Sequence, residues 1–450
     1  MKVIKFGYLS IMVFSLFNCS KNEDTKEPSI QPEVIEAEKP VSPPEIIEEE
    51  IYLTVNIDTN INTTDSEDWL IIHDDNNNLV DYKSYESGDE ITFSAYPDSI
   101  TSSLSITKFS QVIDYVNDLN DGTSPQTRSE VGKRYEITTT NGLNRGDVFN
   151  INSSVLNEPQ NRTKIGEFNL TIEDIPQIKN LNISTKNGTI PYGYSISDNG
   201  NELIDYSQKL EKYQGEEEYL ISILDGNNTH KYFTFSNLEN QDLILNYAEF
   251  KLFDTYIDLE VPTDSNYLID IGGFDNDENL NFFGGYKLLD ISLYSDQINA
   301  NVISFGYLNK FSNYRSRIIL ETSNYRYLKT QFGSKLDFLE FPDDPNFVII
   351  NDSSIQNFDF STSSDYKSYK NTWRYVEGNY PYGNYVITSW SVEIPKNKIK
   401  TVGDIPVEIL EKFPNINLDK IEPYTTHLNL SEINYNQTYP TFDGIIIYHN

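Results

Sequence analysis

The chain has 450 residues and a formal net charge of −35, from 34 basic and 69 acidic side chains. That balance excludes nucleic acid and anionic lipid as direct partners, because phosphate groups would be repelled. With 38% hydrophobic residues it can bury real cores, and its wealth of Tyr (32) and Phe (24) against Met (2) and Trp (3) favours strands over helices.

Lys2 and Lys5 precede an apolar run of about a dozen residues, "FGYLSIMVFSLF". A membrane span needs about 20 such residues, so the run reads as the apolar part of a signal peptide. Cys19, the single cysteine, follows it. Leu16 and Asn18 are large for the −3 and −1 positions of ordinary secretory cleavage. They fit cleavage ahead of a cysteine better.

The h-region, Leu16 and Cys19 together resemble the lipobox of Bacteroidota-type surface lipoproteins. Asn18 departs from the small residue usual there. In "SKNEDT", Lys21, Glu23 and Asp24 resemble the export tag that sends such proteins to the outer face of the outer membrane. The resemblance covers about the first 25 residues. It implies that the Cys19 thiol accepts a diacylglyceryl group, so that two or three acyl chains hold the protein firmly, each buried methylene adding about 0.8 kcal/mol. Residues 1–18 are then a lipoprotein signal peptide. With Cys19 consumed, the mature chain has neither a disulfide nor a cysteine-ligated metal site.

Residues 19–50 read as the lipid anchor and a Pro/Glu-rich tether. Pro28, Pro32, Pro40, Pro43 and Pro44 break any helix, and the acidic excess favours an extended, solvated chain. At about 3 Å per residue it reaches on the order of 90 Å.

Period-2 alternation dominates the rest. "YLTVNID" places Leu53, Val55 and Ile57 on one face. "EITFSAY" does so with Ile91 and Phe93, "EFNLTIED" with Phe168, Leu170 and Ile172, and "TYIDLEV" with Ile257, Leu259 and Val261. "WLIIH", "YLISIL", "NFVII" and "GIIIYH" read as more deeply buried strands. Turns rich in Asn, Asp and Gly separate them, at 73–80, 185–189, 197–201 and 224–228. The best helical candidate is 404–414, with Pro406 near its start, Glu408 in its first turn and Pro414 as its stop. The stretch 110–121 fits either class.

This pattern predicts an all-β fold of tandem β-sandwich-like domains behind a lipidated flexible tether. The expected boundaries are a β-sandwich domain at 51–155, a second at 164–248 and a C-terminal β-rich domain at 249–450.

Catalytic signatures are sparse. There is no G-x-S-x-G elbow and no H-E-x-x-H. Of the four histidines, His73, His230, His427 and His449, the first, second and fourth fit strand ends or surface positions. Asp275, Asp277 and Asn279 alternate as oxygen ligands for calcium would, but without the glycine and distal Glu of an EF-type loop. Acidic pairs for glycoside hydrolysis are too easily found among 69 acids to carry a signal. Asp98-Ser99-Ile100 resembles the Asp-Ser/Thr-aliphatic pattern O-glycosylated on exported proteins of such bacteria, which makes Ser99 a glycosylation candidate.

One stretch stands out. "WRYVEGNYPYGNYVITSW" carries Trp373, Tyr375, Tyr380, Tyr382, Tyr385 and Trp390 around a hairpin tip. Such side chains offer broad rigid area with a polar end, suited to proteins and to sugar faces. The expectation is a non-catalytic extracellular binding module for a glycan or an envelope protein. It needs no cofactor and meets the membrane through the lipid on Cys19. A polysaccharide-processing hydrolase, and an accessory subunit of an outer-membrane uptake or secretion complex, are the alternatives.

Overall fold

The computed structural model describes residues 48–61, 63–96, 99–117, 128–152, 162–190, 194–198, 203–236, 242–260, 265–276, 284–293, 302–337, 339–432 and 441–449. Cys19, the export-tag residues and the tether up to residue 47 lie outside them. The fold is all-β, in several sheets, with a single short α-helix among the described residues. No helix among them is long and apolar enough to cross a membrane.

A twelve-stranded sheet is the spine. Its strands run, edge to edge, Tyr286–Leu293, Asn266–Phe274, Asn313–Glu321, Arg326–Gly333, Phe442–Tyr448, Glu422–Asn429, Ser368–Asn379, Gly383–Pro395, Arg128–Asn144, Ser103–Asn117, Ser66–Asp74 and Leu79–Tyr85. Every neighbour pair is antiparallel except one. Gly383–Pro395 lies parallel to Arg128–Asn144, Trp390 opposite Ile137. Strands from 51–155 and strands from 249–450 therefore belong to one continuous sheet.

Smaller sheets cover parts of this spine. Glu50–Ile57, flanked by Glu90–Ala95 and Asp147–Ile151, makes a three-stranded sheet. Leu53, Val55 and Ile57 turn inward, as their alternation predicts. A register shift after Ile51 lets neighbouring Tyr52 turn inward as well. These side chains share a core with Leu70, Ile72, Leu104 and Ile106 of the long sheet. Ile71 and the half-buried Trp69 join the core on the opposite face. The Ser66–Asp74 strand is thus covered on both sides, which explains its unbroken apolar run.

Between residues 164 and 252 a four-stranded and a five-stranded sheet enclose a core of their own. Phe168, Leu170 and Ile172 come from one sheet, Ile183, Ile221 and Ile223 from the other. His230 fastens this sandwich to the C-terminal strands. It is fully buried and stacks on Phe253 with ring centroids 4.2 Å apart. Its Nδ1 accepts the Gly306 N–H at 2.9 Å, so its Nε2 carries the proton, 2.7 Å from Ser222 Oγ and 3.1 Å from the Leu288 carbonyl. Burial pushes its pKa down to about 3.

Three local readings change. The ambiguous stretch 110–121 belongs, as far as residue 117, to the strand Ser103–Asn117. "NFVII" contributes only a short ribbon, Val348–Asn351, with Val348 and Ile350 exposed rather than buried. His73 and His230 sit at strand ends, yet both are fully buried and not on the surface. The helix forms where its proline boundaries place it, Val407–Lys412, after Pro406 and before Pro414.

Candidate functional site

The aromatic stretch is a hairpin of Ser368–Asn379 and Gly383–Pro395 joined through Tyr380, Pro381 and Tyr382. Successive residues of a strand point to opposite faces, so its aromatic side chains divide. Trp373 is directly opposite Trp390, and both enter the core that holds Phe109 and Phe413. Arg374, Gly378 and Tyr385 belong to the other face, Gly378 opposite Tyr385. The six candidate residues therefore do not share one surface.

On the Tyr385 face the packing is polar. Tyr385 is buried with its ring over Gly132, where a Cβ would come within 2.4 Å. Its hydroxyl donates to Asp114 Oδ2 at 2.8 Å, and Arg134 Nε donates to the same oxygen at 2.8 Å. Burial, then the hydrogen bond to Asp114 and its charge, raises the Tyr385 pKa to about 12. Tyr380 meets Tyr385 edge-on at 5.0 Å. The Arg374 guanidinium lies over Tyr380 at 5.5 Å and over Tyr424 at 5.2 Å. Tyr382, at the tip, is 85% exposed.

On the tryptophan face lies an open groove of about 540 Å³. Trp373 and Trp390 form its floor, and segments 352–356, 404–410 and 418–423 its walls. These walls come from loops and the short helix, and polar side chains pin them to the sheet. Asn141 Oδ1 accepts the Thr401 N–H at 2.6 Å, while its Nδ2 donates to the Glu393 carbonyl at 3.2 Å. Asn77 Oδ1 accepts the Val402 N–H at 2.8 Å, and Thr388 Oγ1 the Asn417 N–H at 3.1 Å. His73 Nε2 lies 3.0 Å from the Asp404 carbonyl oxygen. Its ring sits so close to Gly403 that a Cβ there would fall 2.0 Å from Cδ2, so only glycine fits without movement. Below the helix, Phe413 stacks on Phe109 at 5.2 Å.

The two floor residues differ in one respect. The Trp390 indole N–H donates to Thr139 Oγ1 at 3.0 Å. The Trp373 side chain is only 2% exposed, and its N–H, which meets no acceptor among the described residues, is not sealed from solvent. Three carboxylates, Asp352, Asp404 and Asp419, line the groove, and no basic side chain does. At its Tyr375 end the Lys420 ammonium lies over the Tyr375 ring at 5.1 Å and 4.0 Å from Glu377. Sequence reasoning missed these acids, which arrive from three separate loops with no common motif.

The other candidates are dispersed. Ser99 is exposed, its hydroxyl donating to the Tyr96 carbonyl at 2.7 Å. Asp275 is exposed after the Asn266–Phe274 strand, and Asp277 and Asn279 lie outside the described residues. No group of three metal-ligating side chains gathers among the described residues. Burial lowers the pKa of His73, of His449 and of His427, the last to about 4. A second cavity, about 480 Å³, lies beside the Lys329–Asp443 pair, whose charged atoms are 3.3 Å apart.

No protein-family model matches this chain, and neither a curated protein nor a solved structure is significantly similar to it.

Proposed function

We propose that this protein is a surface lipoprotein, held at the outer membrane through Cys19, whose folded part is a non-catalytic binding module for a ligand outside the cell. One observation carries the reading. A single hairpin bears an open groove on one face and an exposed tyrosine tip at its end. The groove volume is in the range of ligand sites, roughly 300–1,000 Å³. Tyr382 supports no core, so its large exposed ring fits recognition better than stability.

Two measurements test this. The full chain and its Cys19→Ser variant are expressed in a diderm bacterium and fractionated, and surface exposure is read by protease treatment of whole cells. The wild type is expected in the outer membrane and cleavable from outside; an unlipidated, cytosolic wild type refutes the anchor. The full chain is then screened against glycans and peptides. Binding that Tyr380→Ala with Tyr382→Ala leaves unchanged removes the tip from the reading.

A second reading, polysaccharide hydrolysis, draws on the acids lining the groove. Two facing carboxyl groups in a sugar cleft are what such chemistry requires. Release of reducing sugar by the wild type, abolished in Asp404→Asn, would favour it over passive binding.

A further inference from the structure

We infer that the groove over Trp373 and Trp390 binds a basic polypeptide segment, one that carries lysine or arginine next to apolar side chains. The inference rests on the binding-module reading and names the ligand class of its groove. Three features converge on it.

The first is charge. Asp352, Asp404 and Asp419 line the groove without a lining base, and all three are exposed. A cationic ligand gains from all three at once, while an anionic one is repelled. The second is the wall. Val407 is 63% exposed, and Leu410 and Ile421 are half-buried beside it. Covering them with an apolar side chain removes that surface from water, which a purely polar ligand does not do. The third is the Trp373 indole. The side chain is 2% exposed, and its N–H keeps solvent access without an acceptor among the described residues, so it is a donor free to meet a ligand in the groove. Tryptophan at a recognition surface offers a polar end, and a peptide carbonyl laid along the groove accepts from it in place of water.

The same facts argue against a sugar in this groove. Sugars stack on open aromatic faces, and the two tryptophans expose 2% and 5% of their surface. The buried rings also leave no aromatic cage for a small quaternary cation. The carboxylates carry the charge recognition, and the aliphatic wall selects what accompanies the charge.

The test uses the full chain in detergent, in a Trp69→Phe background, so that the two groove residues are the only tryptophans left of three. The probes are a synthetic peptide of alternating lysine and leucine, its glutamate–leucine counterpart, and chitosan oligosaccharide, which is cationic but lacks apolar side chains. The lysine–leucine peptide is expected to bind saturably and to shift tryptophan emission. Replacing the three acids together (Asp352→Asn, Asp404→Asn, Asp419→Asn) weakens it about tenfold, since exposed charge pairs each contribute modestly. Glu86→Gln with Glu90→Gln and Glu260→Gln, exposed acids away from the groove, leaves affinity unchanged. Trp373→Phe, which keeps a ring and deletes the N–H, weakens binding about threefold to tenfold. Should the triple variant fold poorly, the single exposed change Asp419→Lys gives the same readout.

Equal weakening by the two triple variants would reduce the binding to unspecific attraction and overturn the inference. Equal binding of the glutamate–leucine peptide would do so too. Chitosan binding without peptide binding would overturn the peptide assignment and leave the binding-module reading intact. Binding of none of the three probes would overturn the inference, and failure of the wider glycan and peptide screen as well would take the module reading with it.

Discussion

His230 makes the stability of the folded part dependent on pH in a direction that the acidic surface opposes. The imidazole is fully buried, and its Nδ1 already accepts a hydrogen bond from the Gly306 N–H. Protonation would break that bond and place a charge under Phe253. Burial lowers the folded-state pKa to about 3, against an unfolded value of about 6.5. A depressed histidine pKa means that the unfolded chain binds the extra proton more readily. The stabilisation is therefore complete above about pH 6.5 and falls as pH drops toward about 3. At about pH 5 the shortfall is log(1 + 10^1.5), or about 1.5 units, which is about 2 kcal/mol from this one side chain. Protonation of surface carboxylates relieves repulsion over the same range and stabilises, so the wild-type curve alone cannot isolate the effect. His230→Phe can. It lowers stability throughout by leaving the Gly306 N–H without its acceptor, but it removes the titration. Urea unfolding followed by circular dichroism, at about pH 7.5 and about pH 5, should show the wild type losing about 2 kcal/mol more than the variant. Work below pH 5 is to be avoided, because the sequence pI is about 4.3 and solubility falls there. The reasoning is refuted if the His230 resonance in a histidine-labelled wild type titrates with a midpoint near 6.5, or if both proteins lose the same stability.

Two further outcomes follow from the site. Asn141→Ala leaves the Thr401 N–H and the Glu393 carbonyl without their side-chain partner, in a position only 3% exposed. It should cost about 2–3 kcal/mol and shift groove tryptophan emission to the red; unchanged unfolding would show that Asn141 does not pin the loop. Tyr382→Ala should change the unfolding free energy by less than about 0.5 kcal/mol, because an 85% exposed ring buries little. A larger loss in the same assay would mean that the tip supports the hairpin, and its use as a clean binding variant would end.

Where one strand face meets a core and the other meets solvent, alternation in the sequence already marks the inward residues. Leu53, Val55 and Ile57, and Phe168, Leu170 and Ile172, are such cases. Val348 and Ile350 show the limit of an apolar run. Its composition suits a buried strand, but nothing local says whether another layer will arrive to cover it. The parallel pairing of Gly383–Pro395 with Arg128–Asn144 is equally silent, since its partners lie about 250 residues apart and no short-range rule links them. At the site, the aromatic cluster was legible as a group, and its division was legible too. Period 2 separates Trp373 and Tyr375 from Arg374, and Trp390 from Tyr385. The acids of the groove were not legible. Asn77, Asn141, His73 and Thr388 draw the Asp404 and Asp419 loops onto the sheet, and Asp352 comes to the same groove from a third loop.

The two faces of this hairpin treat charge in opposite ways, and the contrast bears on what the groove is for. On the Tyr385 face each cation is already engaged, Arg134 with Asp114 and Arg374 between the Tyr380 and Tyr424 rings. Such a face is satisfied internally and gains little from a charged partner. On the groove face the three aspartates meet no lining base, and Lys420 at the margin is occupied with Glu377 and the Tyr375 ring. Acids alone would not distinguish this region from the rest of a chain at −35, because water satisfies an exposed carboxylate well. The distinguishing feature is the company they keep. Water does nothing for Val407 at 63% exposure, and the Trp373 N–H beside it has no protein acceptor among the described residues. A partner that covers the first, accepts from the second and pairs with the aspartates meets three local needs with one contact. A polar surface repeated around the molecule resolves none of them.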